Sequence, residues 1–329
     1  MAAQPPAFQA QKNIPRWRKT PPAIFPPILG LFGLAMAWGR APDAFGISGA
    51  VGQVLMGAVT LLFLYALGNY LAKIAARPGV VLEDLKVLPG RAGLAAMTMA
   101  LMLLAVAVLP RSEALARAVL ALGFAGHVIV MGLIVWALLT GPAEARTVTP
   151  VFHLTFVGFI VSPFAALPLG WTGLATAVFW ATLAAAVLIW IASAVQFARR
   201  EVPAPLRPLL AIHTAPSSLL ATVALLLGHG ALGFGLAIWS MVLVAALVLR
   251  ARWMIAAGFS PLWGAITFPL AAFASLMMVL GAAGYGEGFR LLGALALVAA
   301  SGFIPYVVVK VGQMWLKGAL GPKTNAAVA

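Results

Sequence analysis

The sequence predicts an all-α polytopic membrane protein of ten transmembrane helices, paired as five helical hairpins. Three observations predict it. The 329 residues are 63% hydrophobic and 9% charged, where a soluble domain carries roughly a quarter charged residues. The few charges divide the chain into apolar stretches of membrane-crossing length. Lysine and arginine alternate between rich and poor connections, as the positive-inside rule requires. The formal charge of +14 is read first as this topology signal, and only then as attraction for acidic lipid head groups. No nucleic-acid partner is expected. There are no cysteines, which excludes disulfides and thiolate metal sites.

The uncharged stretches are 20–39, 44–72, 92–110, 118–143, 147–198, 208–249, 253–286 and 291–309. A membrane helix needs ~20 mainly apolar residues. Six stretches suit one helix each. The 52-residue and 42-residue stretches suit two each, turning near Leu167–Thr172 and Gly228–Ala231. With the N-terminus in the cytoplasm, inner segments hold 17 of the 21 basic residues, and outer loops hold only Arg40, Arg111, Arg117 and Arg290. Both termini are therefore expected in the cytoplasm of a multi-pass cell (inner) membrane protein. Residues 1–22 read as a mobile cytoplasmic tail too polar for a cleaved signal peptide. Residues 23–318 form the ten-helix domain and 319–329 a second short cytoplasmic tail. No appended soluble domain is expected.

Proline separates the members of each hairpin. Odd spans carry Pro26 and Pro27, Pro163, Pro216 and Pro269 inside their apolar runs, and the even spans, save Pro305 in the tenth, carry none. The third span has only Pro89 ahead of it. A proline removes one backbone hydrogen bond and clashes with the preceding turn. In lipid the freed carbonyl is tolerated only against protein or a wet cavity. The pattern predicts kinked odd helices around a central cavity and straight even helices outside.

None of the seven acidic residues falls within a span: Asp43, Glu113 and Glu287 are placed outside, and Glu83, Asp84, Glu144 and Glu201 inside. This argues against a cation pathway, against carboxylate coupling, and against hydrolytic acid–base chemistry. The chain is not expected to be an enzyme. No phosphate loop, Gly-x-Ser-x-Gly elbow or HExxH is present, so no cofactor and no metal is expected. His229 reads as an outer-turn residue and His127 as a packing residue. His153 and His213, on inner-ring spans, are candidates to contact an anion or to titrate and gate, or equally to be satisfied polar residues between helices. Small residues such as Gly30 and Gly33 allow close helix approach.

The ninth span, Ser260–Leu276, places Thr267, Phe268 and Pro269 in succession. A bulky aromatic at a break facing a cavity is a candidate plug. Thr267 points ~100° away from Phe268 around the helix.

These segments carry a resemblance. Ile24–Trp38, IFPPILGLFGLAMAW, resembles the first helix of bacterial TehA proteins, of the tellurite-resistance/dicarboxylate transporter family that includes plant slow anion channels. It matches through Phe25, Leu29, Gly30, Leu31, Leu34 and Ala37–Trp38. Leu206–Arg207 with Ala215–Pro216, the run LWGAITFPLAAFASL and Pro150–Leu154 are similar to family segments in order and spacing. The resemblance implies five hairpins around a central pore lined by odd helices. It also implies a homotrimer with one pore per subunit, and a gating phenylalanine that falls on Phe268. The third span lacks the internal proline expected of an inner helix, and His213 stands where the family is often apolar.

The leading reading is a passive anion channel or uniporter of the TehA type for small inorganic or organic anions. Its gate is Phe268 and its pore-lining kinks are Pro27, Pro163, Pro216 and Pro269. Phe25, His153, His213 and Thr267 are further pore-lining candidates, and a role in tellurite resistance is an added expectation. The alternatives are a carrier for C4-dicarboxylates or other organic anions, and a non-conducting membrane sensor.

Overall fold

In a computed structural model residues 15–329 are described. Residues 1–14 of the expected N-terminal tail, with Lys12, lie outside the described residues. Among the described residues, nine helices are long and apolar enough to cross a membrane: α1 (Pro22–Phe45), α2 (Ala50–Ala76), α3 (Leu88–Val108), α4 (Glu113–Thr140), α6 (Thr172–Phe197), α7 (Ala204–Leu226), α8 (Gly230–Leu249), α9 (Pro261–Ala282) and α10 (Glu287–Leu316). The tenth member, α5 (His153–Ala166), is apolar but shorter. The protein is an all-helical, polytopic membrane protein.

The helices form two rings. In α1, α3, α7 and α9, 72%, 72%, 89% and 67% of the most apolar window is buried within the fold. In α2, α4, α6, α8 and α10 the share runs only from 22% to 33%. The even helices instead expose large apolar side chains such as Val54, Leu61, Leu188 and Val298. A helix that is hydrophobic all round is stable in that position only against lipid or another apolar surface.

Backbone winding explains why the inner ring is irregular. α1 opens with a 3-10 turn at Pro22–Ile24, α7 with a 3-10 stretch at Ala204–His213, and α9 with a 3-10 turn at Pro261–Trp263. α5 is composite: a π turn at His153–Val157, a 3-10 turn at Gly158–Val161, then α-helix from Pro163 to Ala166. Pro163 therefore starts a new α segment rather than bending one. Pro27, Pro216 and Pro269 lack the N–H that would bond the carbonyl four residues earlier. Those carbonyls belong to Ala23, Ile212 and Ala265, all of which border one interior cavity. The irregular winding faces the centre, where protein or water can satisfy it.

The hairpins close tightly at one end. Gly170 and Gly228 adopt φ of 78° and 83°, left-handed values that a side chain resists, and they end α5 and α7 inside the two turns the charge map anticipates. Ser112 caps α4 by accepting from the Leu115 N–H at 3.2 Å. Close approach sets the α1–α9 contact. A Cβ on Gly30 would collide with the Thr267 side chain, and one on Gly264 would meet Pro27 at 3.0 Å. Inner and outer rings are tied by Trp38 Nε1 donating to Ser301 Oγ at 3.0 Å and by the Ser218–Ser240 hydroxyl pair at 2.8 Å.

The other end is basic and holds both described terminal segments. Residues 15–22, assigned to the tail by sequence, form two 3-10 turns in which Thr20, Pro21 and Pro22 are buried. A short helix, Leu320–Lys323, packs with Leu320 fully buried. The Ala329 N–H then donates to the Arg18 carbonyl at 3.1 Å.

Candidate functional site: two cavities that share one aromatic ring

Two cavities lie in series inside the inner ring. The larger, toward the basic end, has about 40 Å³ open to water. It is walled by Ala23 and Pro26 of α1, Pro89 and Ala92 of α3, Leu154 of α5, Leu209 and Ile212 of α7, and Pro261, Leu262, Gly264 and Ala265 of α9. The smaller, with about 20 Å³, is bordered by Gly33 and Met36, Leu103, Phe164, Leu219 and Thr222, Ala272 and Ser275. Each exceeds the ~10–15 Å³ needed to admit a water molecule. Among the described residues, Phe268 alone borders both.

The Phe268 ring is 5% exposed and is seated by a glycine. A Cβ on Gly33 would stand 2.9 Å from Phe268 Cδ2, 3.2 Å from Cε2 and 3.1 Å from the Ala271 Cβ. Any side chain at position 33 would occupy the space where the ring rests. Pro269 borders the larger cavity beside it. Among the described residues, no charged side chain borders either cavity.

Several residues expected at the passage are elsewhere. Thr267 is fully buried between α1 and α9, its hydroxyl donating to the Gly264 carbonyl at 2.7 Å; it follows the helix phase away from Phe268. Phe25 is also fully buried, with its ring edge-on to Phe63 and Tyr70 of α2. It faces the outer ring. Pro26, not Pro27, borders the larger cavity, because Pro27 is packed on Gly264. Pro163 and Pro216 are buried but border neither cavity, and their neighbours Phe164 and Ala215 do. His153 and His213 also lie off the passage, hydrogen-bonded to each other at 3.0 Å. Their neighbours Leu154 and Ile212 form the wall.

One polar cluster escapes sequence reading. Lys73 and Asp84, expected as solvated loop charges, form an ion pair at 3.0 Å with both side chains 0% exposed. Lys73 Nζ also donates to the Thr20 carbonyl at 3.1 Å, and the Tyr70 hydroxyl donates to Asp84 at 2.9 Å. The Ala327 N–H completes the carboxylate at 2.8 Å. Arg77 forks onto Glu83 at 2.6 and 2.8 Å and donates to the Val328 carbonyl at 2.7 Å. Hydrogen bonds from Arg77 hold the Glu83 carboxyl below its ordinary range. This cluster fastens residues 327–328 and the start of α1, the helix whose first residues wall the larger cavity. The only sequence signal for it is a lysine followed eleven residues later by an aspartate across Pro78–Gly79.

Two rings of helices with an irregular inner winding surround two small cavities that share Phe268. The chain belongs to the SLAC1 family, voltage-dependent anion channel, which it matches over residues 19–311. That span includes α1 to α9 and most of α10, so the family membership covers the whole helical bundle. Among curated proteins, none matches the chain. Members of this family are anion channels and transporters, not enzymes.

Proposed function

We propose that this protein is a passive anion channel of the TehA type in which the Phe268 ring is the gate. The observation that carries the reading is the position of that ring between two cavities that are otherwise free of charged side chains. A hydrophobic constriction of this kind blocks ions by excluding water. Anion preference then comes from backbone dipoles. The first turns of α1, α3, α5 and α9 all reach the larger cavity, and each helix N-terminus carries roughly half a positive charge. With no fixed cation on the path, binding is weak and exit is fast.

The lysine and arginine distribution assigns the basic end to the cytoplasm, with both termini there, in the cell inner membrane. The apolar outer faces of the even helices suit lipid or neighbouring subunits, in keeping with a homotrimer having one pore per chain. Tellurite resistance belongs to the same reading as a consequence of oxyanion permeation.

The experiment is flux from proteoliposomes under an imposed diffusion potential. Chloride and nitrate efflux that follows voltage, without saturation or a counter-anion, supports the channel. Saturable, electroneutral exchange of C4-dicarboxylates identifies a carrier instead. No flux of either class, from folded protein, leaves a sensor.

A further inference from the structure

The buried histidine pair has no part in the passage as described. His153 Nε2 and His213 Nδ1 lie 3.0 Å apart, with the rings nearly perpendicular at 86°. The residues are 2% and 8% exposed. Their outer nitrogens, His153 Nδ1 and His213 Nε2, have no hydrogen-bond partner among the described residues.

Counting hydrogens shows what such a pair can do. Two neutral imidazoles bring two N–H groups and two lone pairs. The shared bond uses one of each. One N–H and one lone pair therefore remain on the outer nitrogens, whichever ring donates. An arriving proton bonds to the free lone pair. The shared bond survives, and the resulting cation presents two outward N–H groups. A second proton would have to break the shared bond and set two like charges side by side, which is strongly disfavoured. The pair holds one proton.

Its setting links that proton to the passage. Trp190 of α6 donates Nε1–H to the His213 carbonyl at 3.3 Å, and its ring centre is 5.7 Å from that of His153. Leu154 and Ile212, one residue along from each histidine, wall the larger cavity. A charge on the pair would stand directly behind this wall, in a low-dielectric surrounding where screening is weak.

Besides the pair, the neighbouring elements hold one other imidazole that can change charge, His127, whose Nε2 also has no partner among the described residues. Within their spans α6, α8 and α9 contain no titratable side chain. On α4, His127 is bonded to Thr98 Oγ1 at 2.6 Å and its ring packs edge-on to Phe159. On α3, Arg91 is charged at every pH of interest. On α7 itself, Arg207 pairs with Glu201 at 2.7 Å and lies over Trp253.

We propose that His153 and His213 form a one-proton binding site whose occupation raises anion entry into the larger cavity. The coupling to flux rests on the anion-channel reading, while the proton site itself does not. Two measurements test it. Histidine-labelled protein in nanodiscs, with only four histidines in the chain, is followed by nitrogen NMR from pH 8 to pH 5. One imidazolium per chain should form on the pair, and a pair that stays neutral throughout overturns the site. Nitrate flux, with an anion that keeps its charge over this range, is measured from pH 7.5 to pH 5.5. It should rise by about tenfold in the wild type, remain flat in His153→Gln and in His213→Gln, and rise normally in His127→Gln. A pH response that persists in both glutamine variants at the pair overturns the proposal, as does proton uptake without a change in flux. No nitrate flux at any pH refutes the channel reading alone, since the NMR titration needs neither transport nor a variant.

Discussion

Replacing Phe268 with alanine isolates the ring from everything else in the fold. The ring borders cavities of about 40 and 20 Å³, and truncation to alanine is expected to join them. Burying a phenylalanine in a closed core makes its loss to alanine cost ~3–5 kcal/mol. Because the ring borders two cavities, the cost is expected to fall at or below about 3 kcal/mol, and the variant to stay folded. The gain is in permeation. A hydrophobic stopper that raises the barrier by only ~1.4 kcal/mol slows passage tenfold, so its removal should raise anion flux at least tenfold. The assay is chloride or nitrate efflux from proteoliposomes at a fixed diffusion potential, normalised to folded protein by thermal unfolding. Flux equal to the wild type in a folded Phe268→Ala protein would refute the gate.

Gly33→Ala puts a methyl group 2.9 Å from the Phe268 ring, which must retreat by roughly 0.6 Å or more to regain ordinary contact. This should cost about 1–3 kcal/mol, and most of that cost should vanish in the Phe268→Ala background when unfolding is measured as a double-mutant cycle. Asp84→Asn leaves the buried Lys73 charge unpaired and should lower stability by ~3–5 kcal/mol. Adding Lys73→Met removes the unpaired buried charge and should recover most of it in thermal melts. Glu83 has a folded pKa lowered chiefly by its hydrogen bonds from Arg77, so it stabilises the fold above the unfolded carboxylate value of ~4.3. That contribution is lost as pH falls through the lower folded value. The melting temperature of Glu83→Gln should therefore depend less on pH between 6 and 3 than that of the wild type.

Much of this architecture is legible in the sequence, because it rests on signals that survive averaging. Charges spaced along an apolar chain mark the spans, and prolines concentrated in the odd spans, with Pro305 the exception and the third span lacking one, mark the inner ring. Phe268 is legible as a candidate plug because it stands at a proline break in an odd span, and as a gate only through the family resemblance. What is not legible is helix phase. The spans are apolar on all sides, so nothing in the composition of α1 says that Phe25 faces α2 while Pro26 faces the cavity. The same holds for Thr267, which turns to the Gly264 carbonyl and Gly30. The break in α5 also goes unseen, since His153–Val157 winds as a π turn without a residue inside it that demands one. Long-range pairing is the other loss. Lys73 and Asp84 read as loop charges, and only the folded approach of α2, the following short helix and residues 327–328 buries them together.

The central claim is that anions cross this protein passively along the axis that Phe268 interrupts. The direct measurement is the reversal potential of Phe268→Ala protein in planar bilayers under a tenfold chloride or nitrate gradient with an impermeant cation. The account predicts a current whose reversal potential approaches the anion equilibrium value, roughly 59 mV per tenfold gradient. Absence of current, or reversal on the cation side of zero, would contradict it.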